Sequence, residues 1–399
     1  MFKVTFSFED GSMVETFANA GDNLLEVARS ANVAIDAPCS GNGACGKCRV
    51  QLKSGELESK KTLHISDEEY QAGWRLSCCS KISADVNVLV PDIASAYKSR
   101  MKVADLSSKE EIAIFENAKS DIQLAGIELK NSLEVVDVLM DVPSLDDTMP
   151  DNERLTRALR KYLNINRVRI PYVVLKKLPD VLRENNFAVK CVIRATSDDM
   201  YVYDIFGKDE DVVIGGLAID IGTTTVSAVL INMENGEILA KSSAGNGQIR
   251  FGADVINRIV ESQKPGGQKK LQDAVIKETI NPMIHEMCKS AKFPKDHIYR
   301  MCVASNTTMN HLFAGINADP LRTEPYIPAF FKTNSLFASD VGVDINKDAH
   351  IIMAPNIGSY VGGDITAGTL VSQIWNRPEF SLFIDLGTNG ELVFGNSDF

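Results

Sequence analysis

No apolar run in this sequence approaches the roughly 20 residues that a helix needs to cross a bilayer. The N-terminus, MFKVTFSFEDGS, also lacks the basic-then-apolar order of a secretory signal. Positive charge is scarce: 42 Lys and Arg stand against 53 Asp and Glu, a formal net charge of −11. That balance argues against a nucleic-acid binder and against a partner of anionic membranes, both of which favour basic surfaces. A basic protein partner stays open. His285 and Glu286 lie in NPMIHEMCK, but no second histidine follows at helical spacing, so the metalloprotease pattern fails. No nucleophile-plus-base arrangement stands out either. A cytoplasmic address is expected, where thiols stay reduced and clustered cysteines are metal ligands or redox groups more often than disulfides.

What is present begins with apolar alternation. Phe2, Val4, Phe6 and Phe8 alternate strictly before EDG turns the chain into MVETF, which predicts a hairpin with one buried face. Asp22 is placed to cap a short helix carrying Leu24, Leu25, Val27 and Ala28. After a cysteine-rich loop come the strand KCRVQL, a capping box of Ser66 and Glu69, and the closing strand ADVNVLVP. These elements describe a β-grasp unit over residues 1–92. Residues 93–130 are polar and without a sustained apolar period, and read as a linker with helical pieces. A small α+β domain follows over 131–211, with Leu155, Ala158, Leu159 and Leu163 marking one helix face. The last region, 212–399, carries a recurring pattern: LAIDIGTTT at 217–225 and LFIDLGTNGE at 382–391. A repeat at that separation predicts two related lobes facing each other.

The cysteine loop is CSGNGACGKC, residues 39–48. Cys39, Cys45 and Cys48 are spaced C-x5-C-x2-C, one residue longer in the first gap than the plant-type C-x4-C-x2-C. Four thiolates hold a two-iron cluster. Gly41, Gly43 and Gly46 let the backbone wrap it and aim N–H groups at sulfur. The fourth ligand lies in RLSCC, at Cys78 or Cys79; read as a strand, these neighbours point to opposite faces and do not serve equally. A four-cysteine zinc site and a redox dithiol are the alternatives, although zinc sites favour two close pairs. Cys191, Cys288 and Cys302, scattered among apolar residues, read as buried fillers.

The two Asp-Gly turns read as phosphate cradles. Gly222 and Gly387 permit close approach, and Thr223, Thr224, Thr225, Thr388 and Asn389, with Gly390, offer further donors. Asp220 and Asp385 would hold Mg²⁺ through its waters. Glu391, or Asp364 in YVGGDITAG, would orient the attacking water. A lone D-x-G-T is more often a polar hairpin tip; the second copy is what favours a nucleotide. His311 could reach a partner or a nucleotide cleft, but a helix residue packed beside Leu312 and Phe313 is the favoured reading.

The paired loops resemble the phosphate-1 and phosphate-2 loops of the acetate kinase–sugar kinase–Hsp70–actin fold. Together with the cysteine head, and with GNGQIRFGADVINRI (245–259), VASNTTMNHLFAG (303–315) and APNIGSYVGGDITAG (354–368), they resemble the reductive activators of corrinoid-dependent enzymes. That resemblance implies an actin-like domain, a [2Fe–2S] cluster, ATP with Mg²⁺, and electrons passed from a low-potential donor to a corrinoid protein, returning Co(II) to Co(I). Homodimerisation stays open. By resemblance, RLSC is the ferredoxin segment that supplies the fourth ligand, which favours Cys78. NTTM would line the interlobe cleft through Asn306 and Thr307, with a plain helix cap at Asn306 the competing reading. In that fold the second lobe continues into a glycine-rich adenosine segment, whereas this sequence ends at Phe399, soon after Glu391. A fragment or incomplete gene product, lacking much of that lobe, is therefore expected. The competing functions are a plain redox carrier with an actin-like docking scaffold and an activator of radical dehydratases or aromatic-ring reductases. A sugar kinase has no need of a ferredoxin head.

Overall fold

The computed structural model describes residues 1–399 except 9, 10, 12, 32, 34, 36, 38–42, 44, 45, 92–108, 130, 131, 164, 253, 334, 335, 388 and 389. Among the described residues no helix is long and apolar enough to cross a membrane.

The N-terminal unit has strands β1 (Phe2–Phe8), β2 (Met13–Ala18), β3 (Arg49–Ser54), β4 (Leu57–Ser59), β5 (Trp74–Leu76), β6 (Ser80–Ile82) and β7 (Val86–Val90). Helices α1 (Leu24–Ser30) and α2 (Asp67–Gln71) complete it. The sheet order is β2-β1-β7-β3-β5, with β4 and β6 paired separately. Strand β1 lies antiparallel to β2 and parallel to β7, so the period-2 apolar row of Val4 and Phe6 meets Val86 and Val88 in one core. The capping box is present: Ser66 Oγ accepts from Glu69 N at 3.2 Å and Glu69 Oε2 from Ser66 N at 2.9 Å. The cap of α1 is not Asp22. Asn23 holds it, its Oδ1 accepting from Leu25 N at 3.0 Å, while Asp22 accepts from Asn19 N in the preceding turn. Both residues are capable caps; the first helical φ/ψ falls at Leu24, which makes its neighbour Asn23 the cap.

Helix α3 (Lys109–Leu124) leads into a second sheet of order β8-β10-β11-β9, built from β8 (Leu133–Leu139), β9 (Arg167–Arg169), β10 (Ala188–Ala195) and β11 (Asp199–Gly207). Helices α4 (Asp151–Leu163) and α5 (Tyr172–Glu184) cover it, burying Leu155, Leu159, Val174, Leu178 and Leu182. Each such side chain contributes about 1.5–3 kcal/mol relative to exposure.

The third sheet has the order β14-β13-β12-β15-β17-β16. Its strands are β12 (Gly215–Ile221), β13 (Thr225–Asn232), β14 (Ile238–Gly245), β15 (Ile298–Ser305), β16 (Leu336–Phe337) and β17 (His350–Met353). Strands β12–β14 form an antiparallel meander, and β15 then adds parallel to β12. Helices α6 (Val255–Ser262), α7 (Gly267–Val275), α8 (Asn281–Ala291) and α9 (Thr307–Ala314) pack on one face around Leu271, Ile284, Leu312 and Phe313. Helices α10 (Ala338–Val341) and α11 (Gly363–Ser372) follow, then the hairpin of β18 (Ser381–Leu386) and β19 (Gly390–Gly395). Cys191 and Cys288 are buried as expected, but Cys302 is exposed. On β15 the core row is Met301 and Val303; Cys302 points the other way, where the sheet face carries exposed Ala218 and Ile352 on the flanking strands. An apolar neighbourhood in sequence does not say that both faces are covered.

Candidate functional site

The first turn of the cleft is built on Gly222. Its N–H donates to Thr225 O at 2.9 Å, and a Cβ on Gly222 would stand 2.8 Å from that same oxygen. Asn246 braces the turn from β14's end, donating Nδ2–H to Gly222 O at 2.9 Å and N–H to Thr224 O at 2.8 Å. Arg258, fully buried on α6, donates Nη2 to Thr223 O, Nε to Gly252 O at 2.9 Å and Nη1 to Gln248 Oε1 at 3.2 Å. Thr223 is itself buried, and its Oγ1 accepts from Asn306 Nδ2 at 3.2 Å. Asn246, Gln248 and Arg258 escape a reading of the sequence for chemistry. The available signal was Arg258's position beside Ile259 and three residues after Val255, on the apolar stripe of α6.

Asn306 serves two purposes: it caps α9, accepting from Met309 N at 2.9 Å, and it donates to the turn. Thr307 is buried, and its hydroxyl donates to Gly358 O at 2.6 Å, so it fixes the 354–363 loop. That loop approaches closely. A Cβ on Gly362 would lie 2.4 Å from Asn306 Cα, and one on Gly363 would lie 2.5 Å from Ala354 O. Only glycines let the start of α11 reach the β15–α9 junction.

Four carboxylates converge here. Asp220 lies near the end of β12, Asp364 in the first turn of α11, and Asp385 and Glu391 are register partners on β18 and β19. Asp220 is reached by solvent, yet it sits low in a cleft dense with protein. Loss of water, then the charges of Asp364 and Asp385, push its carboxyl up to about 6. Burial and Asp385 raise Asp364; burial, Asp364 and Asp385 raise Glu391. Among the described residues no three acidic, histidine or cysteine side chains stand close enough to ligate one metal directly. The set suits a hydrated cation, held through water. A cavity of about 580 Å³ adjoins, lined by Asn306, Thr308, Ile365, Thr369, Glu391 and Val393 among others. Of the second turn, Gly387 and Gly390 flank the hairpin tip, while Thr388 and Asn389 lie outside the described residues.

His311 is buried, stacked on Phe330 at 4.6 Å, with Nδ1–H on Thr307 O and Nε2 accepting from Ala329 N. It is a packed, neutral helix residue. His285 pairs with Asp344 at 2.6 Å, and Glu286 accepts from Ser242 Oγ at 3.0 Å.

At the other site, Cys39 and Cys45 lie outside the described residues, as does Gly41. Cys48 is buried on the approach to β3, with its Sγ 3.1 Å from Cys78 Sγ. Cys78 and Cys79 do not lie on a strand: Ser77–Cys79 is one turn of 3₁₀ helix, which sets the two sulfurs 3.6 Å apart on one side. The alternation argument between them therefore fails. Cys48 is held down at about 6 by the bond to Cys78, whose own thiol is pushed up by Cys48 and by burial. Gly43 and Gly46 have φ of +73° and +66°; a Cβ would stand 3.1 Å from Cys79 Sγ and 2.6 Å from His64 Cβ. Close thiols beside Gly43 and Gly46, where a side chain has no room, fit an iron–sulfur cluster.

The 2Fe-2S iron-sulfur cluster binding domain family matches residues 7–83, the RACo linker region 122–212 and the RACo middle region 215–377. The corrinoid activation enzyme RamQ of Eubacterium limosum is 28% identical over 377 residues, covering 94% of this chain and 56% of that protein. A solved structure, the reductive activator for corrinoid, iron-sulfur protein, is 33% identical with a TM-score of 0.61, covering 100% of this chain and 62% of that one. One component of the Na(+)-translocating NADH-quinone reductase of Actinobacillus succinogenes is 35% identical over 91 residues, 22% of each chain. The chain thus spans somewhat over half the length of the two activators. The architecture is mixed α+β, a ferredoxin-like head joined to an actin-like domain. The 2Fe-2S, RACo linker and RACo middle matches follow one another in this order, and over that length the chain is similar to the two corrinoid activators.

Proposed function

We propose that this protein passes low-potential electrons to a corrinoid protein and returns its inactive Co(II) to Co(I), using ATP and Mg²⁺. The observation that carries the nucleotide half is the convergence of Asp220, Asp364, Asp385 and Glu391 beside the Gly222 turn. The electron half rests on the thiols of Cys48 and Cys78, which with Cys39 and Cys45 form the proposed ligand set. A [2Fe–2S] cluster bound there supplies one-electron transfer near roughly −400 mV for plant-type clusters.

An acceptor about 200 mV lower costs about 5 kcal/mol, at about 1.4 kcal/mol per 59 mV for one electron. Nucleotide-driven closure offsets that cost by binding one state of the complex more tightly than the other. On this reading Asp220 and Asp385 hold the hydrated cation and the amides of the Gly222 turn face phosphate. Asn306 and Thr223 fix the turn against α9, and Asp364 or Glu391 orients water. The proposed organisation is a cluster domain at 1–92, a linker at 93–130, a middle domain at 131–211 and the nucleotide domain from 212, in the cytoplasm.

The deciding experiment follows Co(I) absorbance after mixing the protein with a Co(II) corrinoid protein and a chemical reductant, with and without MgATP. The reading expects Co(I) only with MgATP, ATP turnover stimulated by the partner, and loss of both in Asp220→Asn. Equal Co(I) without nucleotide and no stimulated turnover would instead make the protein a plain electron carrier.

A further inference from the structure

The middle sheet and the six-stranded sheet meet along a seam. Tyr203 of β11 and Tyr299 of β15 stand edge to face there, ring centroids 5.8 Å apart, and Tyr201 meets Tyr203 at 4.8 Å. Val192, Phe206, Ile214 and Leu133 close the apolar part of this contact.

Beside the tyrosines, cationic side chains arrive from both sheets. Arg194 on β10 is the register partner of Tyr201, and Arg300, next to Tyr299 on β15, is the register partner of His350 on β17. Both arginines are half-buried, and the Nε of each is buried with no acceptor among the described residues. Several other arginines have carboxylates: buried Arg154 with Asp147, half-buried Arg250 with Glu278, and exposed Arg169, near the same seam, with Asp199; half-buried Arg75 instead donates to the carbonyls of Tyr70 and Trp74. Arg194 and Arg300 form no ion pair among the described residues. Both lie within electrostatic reach of the His350 imidazole, which burial and then these two charges hold below the usual histidine range. Asp348 lies within electrostatic reach of Tyr201 and Tyr203, and burial pushes its carboxyl up; it forms no ion pair with Arg194 or Arg300 among the described residues. Asp348 is therefore not their counter-ion. A partly desolvated pair of positive charges without one is costly.

We infer that the seam is a binding site for a phosphate-class oxyanion, held between Arg194 and Arg300 with His350 beside it. Two planar guanidinium forks, one from each sheet, match the several oxygens of a phosphate better than a single carboxylate, which one fork already satisfies. Occupancy would bridge the middle domain to the six-stranded sheet. The site is separate from the carboxylate cleft, whose negative charge repels the same ligand when no divalent cation is bound there, and it stands whether or not the proposed activity does. Free phosphate and the phosphoryl group of a nucleotide share the chemistry.

The test is calorimetric titration of the protein with inorganic phosphate and, separately, with AMP, both without divalent cations. Saturable binding of phosphate is expected, weakened about tenfold or more in Arg194→Gln and in Arg300→Gln, the loss expected for hydrogen bonds to a charged group. Arg169→Gln, whose partner is Asp199, should leave it unchanged, and unchanged far-UV circular dichroism keeps the variants comparable. AMP binding more tightly than phosphate, with the same loss in both variants, assigns the site to a nucleotide's phosphoryl group; equal or weaker AMP binding assigns it to the free ion. No saturable binding of either probe, or binding undiminished in the Arg194→Gln/Arg300→Gln double variant, overturns the inference.

Discussion

The Nδ2 of Asn306 donates to the Oγ1 of Thr223 at 3.2 Å, while its Oδ1 accepts from Met309 N. One amide thus ties the start of α9 to the turn after β12. Asn306→Asp keeps the acceptor that caps the helix and loses the donor; Asn306→Ala loses both. Thermal melts should show Asn306→Ala destabilised by about 1 kcal/mol for the lost cap, and Asn306→Asp by less. Nucleotide titration should weaken in both, because both free the Thr223 turn.

Arg258 makes a stronger version of the same argument. Its side chain has no exposure and supplies Gly252 O, Gln248 Oε1 and Thr223 O from three nitrogens. Arg258→Ala strands those acceptors in the interior, each at about 1–3 kcal/mol. Urea denaturation should show a loss of about 3 kcal/mol or more, far larger than for Arg157→Ala on the exposed side of α4.

How much of this was legible depended on how local the determinant was. Strict alternation at Phe2 to Phe8 and the Ser66–Glu69 box are set by neighbours in sequence, and the structure has both. The repeated D-x-G turns pointed to Asp220 and Asp385, and the cleft brings them within electrostatic reach of each other. Other determinants are tertiary. Cys302 sits in an apolar stretch, but only the sheet's packing decides which face of β15 is covered. Arg258 lies on the apolar stripe of α6, which marks it as buried, but nothing nearby in sequence names the carbonyls it serves.

The raised carboxyl of Asp220 carries a pH signature. Its folded value of about 6 lies above the ordinary 3.8, so between those values the folded protein binds more protons than the unfolded one. This group therefore favours folding at low pH, and that contribution is lost as pH rises through about 6. Asp220→Asn removes the term. Measured without divalent cations, its melting temperature should exceed that of the parent at pH 7, and the gap should close towards pH 4. A gap that is constant with pH would show that the carboxyl is not raised.

The sulfur geometry makes the last prediction a comparison of neighbours. Cys78 Sγ touches both Cys48 Sγ, at 3.1 Å, and Cys79 Sγ, at 3.6 Å, and all three sit on one side of a short turn. Proximity alone therefore does not choose between Cys78 and Cys79. Cys48 Sγ does: its hydrogen bond is with Cys78, while Cys79 leans toward Gly43, where an added Cβ would stand 3.1 Å from its sulfur. Cys78→Ala should abolish the EPR signal of the reduced, anaerobically reconstituted protein. Cys79→Ala should keep the signal with a modest change in g values, because its sulfur lies in the cluster's surroundings without bonding to iron. Gly43→Ala should lower cluster occupancy without touching a cysteine, since its φ of +73° disfavours any side chain and the new methyl crowds Cys79. The reverse pattern, with Cys79→Ala dark and Cys78→Ala intact, would move the fourth ligand one residue along the turn and make the Cys48–Cys78 contact a feature of the metal-free protein alone.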